Sequence, residues 1–185
     1  MSARLRSATA VFAGLFLAAA GCGRRDADAP VVAEPRAVAA PTTRAAAPRR
    51  EGLPVGLGSK TVTARARMTY AERAEGYMGR AHVADDEALL FVYRTSDERG
   101  FWMKNCLVPL DILYLADDGT VVGAKTVPPP APGAADADVP RFPSPAPVRL
   151  VLEVRAGLAA EAGVGVGSRV NLPPDVAALF AEAEP

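Results

Sequence analysis

The chain is 185 residues long, with 21 lysines and arginines set against 21 aspartates and glutamates, a formal net charge of +0 and a hydrophobic fraction of 50%. That length leaves room for one domain beyond its N-terminal segments, and the even charge balance provides no basic stripe of the kind that holds a nucleic acid. Two cysteines and one histidine are too few soft ligands to close a structural zinc shell, so neither a metal nor another cofactor is expected.

The first element joins Arg4 and Arg6 to an apolar run of thirteen residues, Ala8 to Ala20. As a helix it would span about 20 Å, short of the roughly 30 Å hydrocarbon core of a bilayer, which disfavours a permanent transmembrane anchor. The run ends in Ala19-Ala20-Gly21-Cys22, and residues 1–21 resemble a bacterial lipoprotein signal peptide. The resemblance implies cleavage before Cys22, which then carries a thioether-linked diacylglycerol and an acylated amine and ties the protein to a lipid bilayer through more than one chain. It also implies an extracytoplasmic location. Gly23 is not the aspartate that commonly retains such proteins in the inner membrane, so the outer membrane, facing the periplasm, is expected in a host with two membranes. With Cys22 lipidated, Cys106 is the one free thiol, and the domain must be held by its core rather than by a disulfide.

Residues 22–58 mix Ala, Pro and Arg, with prolines at 30, 35, 41, 48 and 54. So little apolar surface cannot offset the entropy of ordering, and a disordered, extended tether is expected.

The domain itself is placed at 59–172, with thirteen basic and fourteen acidic residues in no blocks. Thr61 to Met68 alternates, with Val62, Ala64, Ala66 and Met68 on one face, as a half-solvated strand. Thr69-Tyr70-Ala71-Glu72 fits a capping box opening a short helix that Gly76 can end. Ala88–Tyr93 and Leu107–Leu115 read as strands near a core, Asp117-Asp118-Gly119 as a hairpin turn and Thr120–Val127 as the returning strand. Pro128 to Pro147 holds eight prolines and predicts a fixed-shape loop. Val148–Arg155 resumes the strand pattern with Leu150, Leu152 and Val154 inward; Gly157–Gly163 is a helical turn and Ser168–Leu172 a closing strand. Residues 173–185 form a tail or short helix, Asp175–Glu184 being an optional terminal helix. Strands without long crossover helices predict a mainly β fold, an antiparallel sandwich or partly closed barrel with one or two short helices.

Several residue sets could carry chemistry. His82 and Cys106 are a conceivable nucleophilic pair, against which His82 sits in a polar connection that suits a solvated side chain. Gly163, Gly165 and Gly167 precede Ser168-Arg169-Val170 rather than a phosphate-binding helix, so turn geometry accounts for them better. The segment Phe101 to Ile112 is more unusual, because Trp102, Lys104, Asn105, Cys106 and Asp111 interrupt an apolar run. Strand alternation would set Trp102, Lys104 and Cys106 on one face. Glu153 stands likewise among Val151, Leu152 and Val154, with Arg65, Arg80 or Lys104 as its potential partner. Isolated charges at such positions are costly, which predicts that Lys104, Asp111 and Glu153 form one polar cluster, either a structural ion pair or part of a shallow cleft.

The stretches Glu72–Arg80, Leu89–Tyr93, Phe101–Ile112, Phe142-Pro143-Ser144, Val151–Gly157 and Gly167–Val170 together resemble the DUF192 family, also called UPF0127. The resemblance implies a compact, mostly β domain, commonly exported or lipid-anchored in bacteria, with no assigned activity. Cys106 stands where the family typically has Thr, which argues against thiol chemistry as a shared function; Tyr77 stands where Leu is common. Two function classes follow. One is a membrane-anchored binding or accessory module whose cleft, lined by Trp102, Lys104, Asn105, Asp111 and Glu153, meets a small ligand or an envelope protein. The other is an envelope hydrolase or transferase using Asp111 or Glu153 as acid or base, with Lys104 stabilising negative charge.

Overall fold

The computed structural model describes residues 50–185. The expected signal segment 1–21, the expected lipidation site Cys22 and the expected tether as far as residue 49 lie outside the described residues.

The architecture is mainly β. Strands β1 (Leu53–Leu57), β2 (Lys60–Arg67), β3 (Glu87–Asp97), β5 (Leu110–Leu115), β6 (Val121–Val127) and β8 (Val148–Arg155) form one sheet in the order β1-β2-β3-β8-β5-β6, and β4 (Gly100–Trp102) pairs with β7 (Arg141–Pro143) in a second. Every pairing is antiparallel except β2 with β3. Helix α1 (Tyr70–Glu75) lies in that one crossover; α2 (Leu158–Glu161) and α3 (Val176–Glu182) follow β8.

The sheet curls until its two edges share a strap. Gly56 on β1 exchanges backbone hydrogen bonds of 2.9 and 2.8 Å with Asn171, while Thr120 beside β6 bridges Arg169. The expected closing strand is thus a pair of bridges, and the barrel is partly closed, with both exposed edges blunted. Gly119 is required there: its φ is +87°, and a Cβ would meet the Val170 carbonyl oxygen at 2.2 Å.

Two cores occupy the two faces. The barrel interior packs Val55, Val62, Leu90, Leu113, Leu152 and Val170, among others, against α2 and α3. The opposite face carries Leu89, Phe91, Ile112, Tyr114 and Val151, covered by Tyr77 and the segment around Phe101–Cys106. Strands β3, β5 and β8 are therefore buried on both sides, which is why they read as continuous apolar runs rather than alternating ones.

Three expectations are corrected. Leu53–Leu57, assigned to the tether, is an edge strand whose Leu53, Val55 and Leu57 point into the barrel; Pro54 and Gly56 disguise it, and proline is tolerated at an edge. The proline-rich loop contains β7, because Arg141–Pro143 pairs with β4 outside the main sheet. The strand expected from Leu107 starts at Leu110, since residues 103–109 form turns instead.

Candidate functional site

The sheet face opposite the barrel interior carries the site. At the end of β2, Thr69 and Glu72 close a capping box: the Glu72 carboxylate accepts from the Met68 and Thr69 backbone N–H groups at 2.8 and 2.9 Å, and the Glu72 N–H donates to the Thr69 hydroxyl at 3.2 Å. These bonds hold the Glu72 carboxyl below its ordinary range although burial opposes them. Gly76 then ends α1 at φ +46°, a conformation that favours glycine, and turns the chain across Phe91 and Glu153. This turn drops Tyr77 into the core.

On the other flank, β4 brings in Phe101 and Trp102. The Phe101 ring meets Phe91 edge-on at 4.9 Å and Tyr114 at 6.0 Å, locking β4 to the sheet. After Trp102 the chain turns: the Cys106 N–H donates to the Met103 carbonyl at 3.0 Å, and Asn105 takes φ +54° as the third residue of the turn, where asparagine is tolerated. The Asn105 carbonyl accepts from the Gly79 N–H at 2.9 Å and ties the two flanks together.

Between the flanks lies a cleft of about 470 Å³, a size suited to a small molecule. Glu153 from β8 forms part of its floor. Its side chain is 5% exposed, its register neighbours are Leu89 and Ile112, and no hydrogen bond or ion pair reaches its carboxyl among the described residues. Burial alone pushes its pKa up to about 8, so the group is mostly protonated at neutral pH. Beside it, the buried Tyr77 hydroxyl also has no partner, and burial raises its pKa, with Glu87 and Glu153 adding to the shift. Both residues line the cleft, and the Tyr77 hydroxyl, closed off from solvent, lacks the bond that buried polar atoms normally make.

Cations surround that neutral floor. The Arg73 and Arg99 guanidinium groups sit 4.4 and 3.9 Å from the Tyr93 ring centroid, and Arg141 and Lys104 lie 4.4 and 5.3 Å from that of Trp102. Lys104 is ion-paired with Asp136 from the proline-rich loop. Arg73 is engaged by backbone carbonyls of Met68, Val92, Glu184 and Pro185, and Arg99 by those of Thr95 and Val148. Among the described residues no carboxylate side chain pairs with Arg73, Arg99 or Arg141.

The structure brings Trp102, Lys104 and Glu153 to this cleft and places Asp111 elsewhere. Asp111 pairs in register with Val154, one position from the Ile112–Glu153 pair, so it points to the barrel face. There its carboxylate accepts from the Thr126 hydroxyl at 2.7 Å and the Ala159 N–H at 3.0 Å, anchoring the start of α2. The expected Lys104–Asp111–Glu153 cluster does not form. Asn105 is exposed, its side-chain amide 3.9 Å from the Met78 sulfur, and it sits behind the cleft wall rather than in it. Arg65 and Arg80, weighed as partners of Glu153, converge on Glu87.

Cys106 lines the cleft, but burial, with Glu153 adding, pushes its thiol up to about 11, away from thiolate chemistry. His82 is exposed in its connection. No cluster of metal-ligating side chains occurs among the described residues. Arg99 and Arg141 escaped the sequence reading, since nothing in their local pattern distinguishes them from ordinary surface positions, and Tyr77 stands out in the sequence only as a departure from the family's common Leu.

The chain belongs to the DUF192 family (Uncharacterized ACR, COG1430), whose profile matches residues 55–172. It is similar to the crystal structure of a candidate transcription regulator from Sinorhizobium meliloti 1021, with 30% identity over 66% of this chain and 92% of that one and a TM-score of 0.57. A protein of unknown function from Novosphingobium aromaticivorans DSM 12444 is likewise similar, with 31% identity over 64% and 82% of the two chains and a TM-score of 0.52. No curated protein matches the chain.

Proposed function

We propose that this chain is a lipid-anchored module of the bacterial cell envelope that binds a small ligand in the Glu153 cleft. The observation that carries this reading is the Glu153 carboxyl itself, 5% exposed, without a partner, at the floor of an open cleft. A group in that position weakens the fold, and retaining it is expected where a ligand completes its hydrogen bonds. The anchoring half of the proposal rests on Arg4, Arg6, the short apolar run and Ala20-Gly21-Cys22. No helix among the described residues is long and apolar enough to cross a membrane. Attachment through acylated Cys22 would leave the domain on the extracytoplasmic side, at the outer membrane of a two-membrane host.

The hydrolase or transferase alternative has less support. It needs a second acid–base group and a free cation converging with Glu153 on one reacting atom. Asp111 faces the barrel and Lys104 is engaged by Asp136.

Replacing Glu153 with Leu separates a binding role from a structural one. Thermal unfolding of wild type and Glu153→Leu, each with and without a cocktail of small hydrogen-bonding fragments, should show the variant more stable alone and unresponsive to fragments that stabilise wild type. A variant less stable than wild type would identify the carboxyl as a structural partner and contradict the proposal.

A further inference from the structure

The charge around the cleft is lopsided, and that imbalance selects among ligands. Arg73 and Arg99 flank one ring, Tyr93, and burial, with Arg73 adding, lowers the Arg99 pKa against the opposing pull of Tyr93 and Asp97; no carboxylate side chain pairs with either. The Arg141 side chain, across the β4–β7 pair from Trp102, makes no hydrogen bond or ion pair among the described residues, so its guanidinium donors are free where it lies over the Trp102 face. At the floor, Tyr77 is 2% and Glu153 5% exposed, and neither side chain has a hydrogen-bond partner. The cleft lining thus combines planar guanidinium donors with a buried carboxyl to satisfy, Glu75 being the one other acidic side chain that lines it. Planar forks suit carboxylates and phosphates better than they suit neutral groups.

We propose that the ligand is a small organic monoanion whose acid group seats against Arg99 and Arg141 and whose far end, bearing a hydroxyl or amide, bonds the Glu153 carboxyl. The inference rests on the binding reading above and goes further by naming the charge, polarity and orientation of the occupant. Four cationic side chains, Arg73, Arg99, Lys104 and Arg141, line the cleft against the acidic Glu75 and Glu153, which favours an anion, and the aromatic walls from Phe91 and Phe101 accept an apolar body between its two ends. Inorganic phosphate shares the acid end and lacks the body and the far group, so it distinguishes a simple anion site from this one.

Trp102 is the only tryptophan and stands in the cleft wall, so its fluorescence reports occupancy directly. The full chain is titrated with trans-4-hydroxycyclohexanecarboxylate, with its primary amide and with inorganic phosphate. The expected result is that the acid binds at least about tenfold more tightly than the amide and than phosphate. Arg141→Gln and Arg99→Gln should each weaken the acid more than the amide and so reduce the preference for the acid, and Glu153→Leu should weaken acid and amide alike. Arg141 is exposed on a short strand, so its replacement leaves the core intact. Equal affinity for acid and amide, with both lost in Glu153→Leu, would overturn the anion inference and leave the binding reading standing. Phosphate binding as tightly as the acid and indifferent to Glu153→Leu would also overturn it, because the floor would take no part. No response of Trp102 to any of the three probes at millimolar concentration would overturn both.

Discussion

A single carboxyl decides how this domain responds to pH. Glu153 has its pKa raised from 4.5 to about 8 by burial, so the folded state holds its proton more tightly than the unfolded chain. For an acid shifted upward, the stabilising contribution is fully present below about 4.5 and is lost as pH rises through about 8. The total is on the order of 5 kcal/mol, since each unit of pKa is worth about 1.4 kcal/mol. Urea unfolding at pH 4.5 and pH 9 should therefore show wild type losing several kcal/mol more than Glu153→Gln, in which nothing titrates at this position. Identical pH profiles would mean that the carboxyl is solvated or paired. Asp111 behaves differently, because its oxygens are satisfied by Thr126 and Ala159. Asp111→Ala should cost about 1 to 3 kcal/mol by leaving the Ala159 N–H unsatisfied. Combined with Lys104→Met it should be additive within about 0.5 kcal/mol, since the two lie on opposite faces of the sheet. A larger coupling energy in the double-mutant cycle would return them to one cluster.

At the scale of elements, α1 and the turns around it set the cleft's shape. The helix has six residues and buries none of them, so its cap matters more than its packing. Thr69→Ala should destabilise the domain by about 1 kcal/mol, and hydrogen exchange should quicken at Glu72 and Arg73 before it changes in β3. Unchanged protection across α1 would show that the capping box contributes little. This box was legible from Thr69 and Glu72 alone, as were the inward face of β2, the Asp117–Gly119 turn and the short α2, because each depends on neighbours in sequence. The site was half legible. Trp102 and Glu153 stood out as intrusions into apolar runs, and both line the cleft. Their relation to Asp111 could not be read, because face depends on strand register: a one-position offset between β5 and β8 sends Asp111 and Glu153 to opposite sides. Likewise, strand alternation through Phe101–Leu107 fails where the Met103–Cys106 turn intervenes. Arg99 and Arg141 meet the cleft only because β4 pairs with β7, forty residues on, and no local pattern reports such a pairing.

For the whole molecule, the fold and the proposed anchor divide the work. The barrel interior holds the domain together without a disulfide, and the opposite face leaves a cleft open between α1 and β4. A lipid at Cys22 would keep that cleft at a membrane surface, through the long segment that precedes β1. Mass measurement of the membrane-extracted protein should show acylation at Cys22 and its loss in Cys22→Ser; wild type carrying the same unacylated mass would remove the anchor from the proposal. The central claim concerns the cleft floor, and the titration of Glu153 tests it most directly. With glutamate side chains labelled with ¹³C at the carboxyl, one resonance that is absent in Glu153→Gln should titrate with a midpoint near 8. A midpoint in the ordinary range near 4.5 would contradict the account, because it would place a partner or bulk water on a carboxyl that is here buried and unpaired.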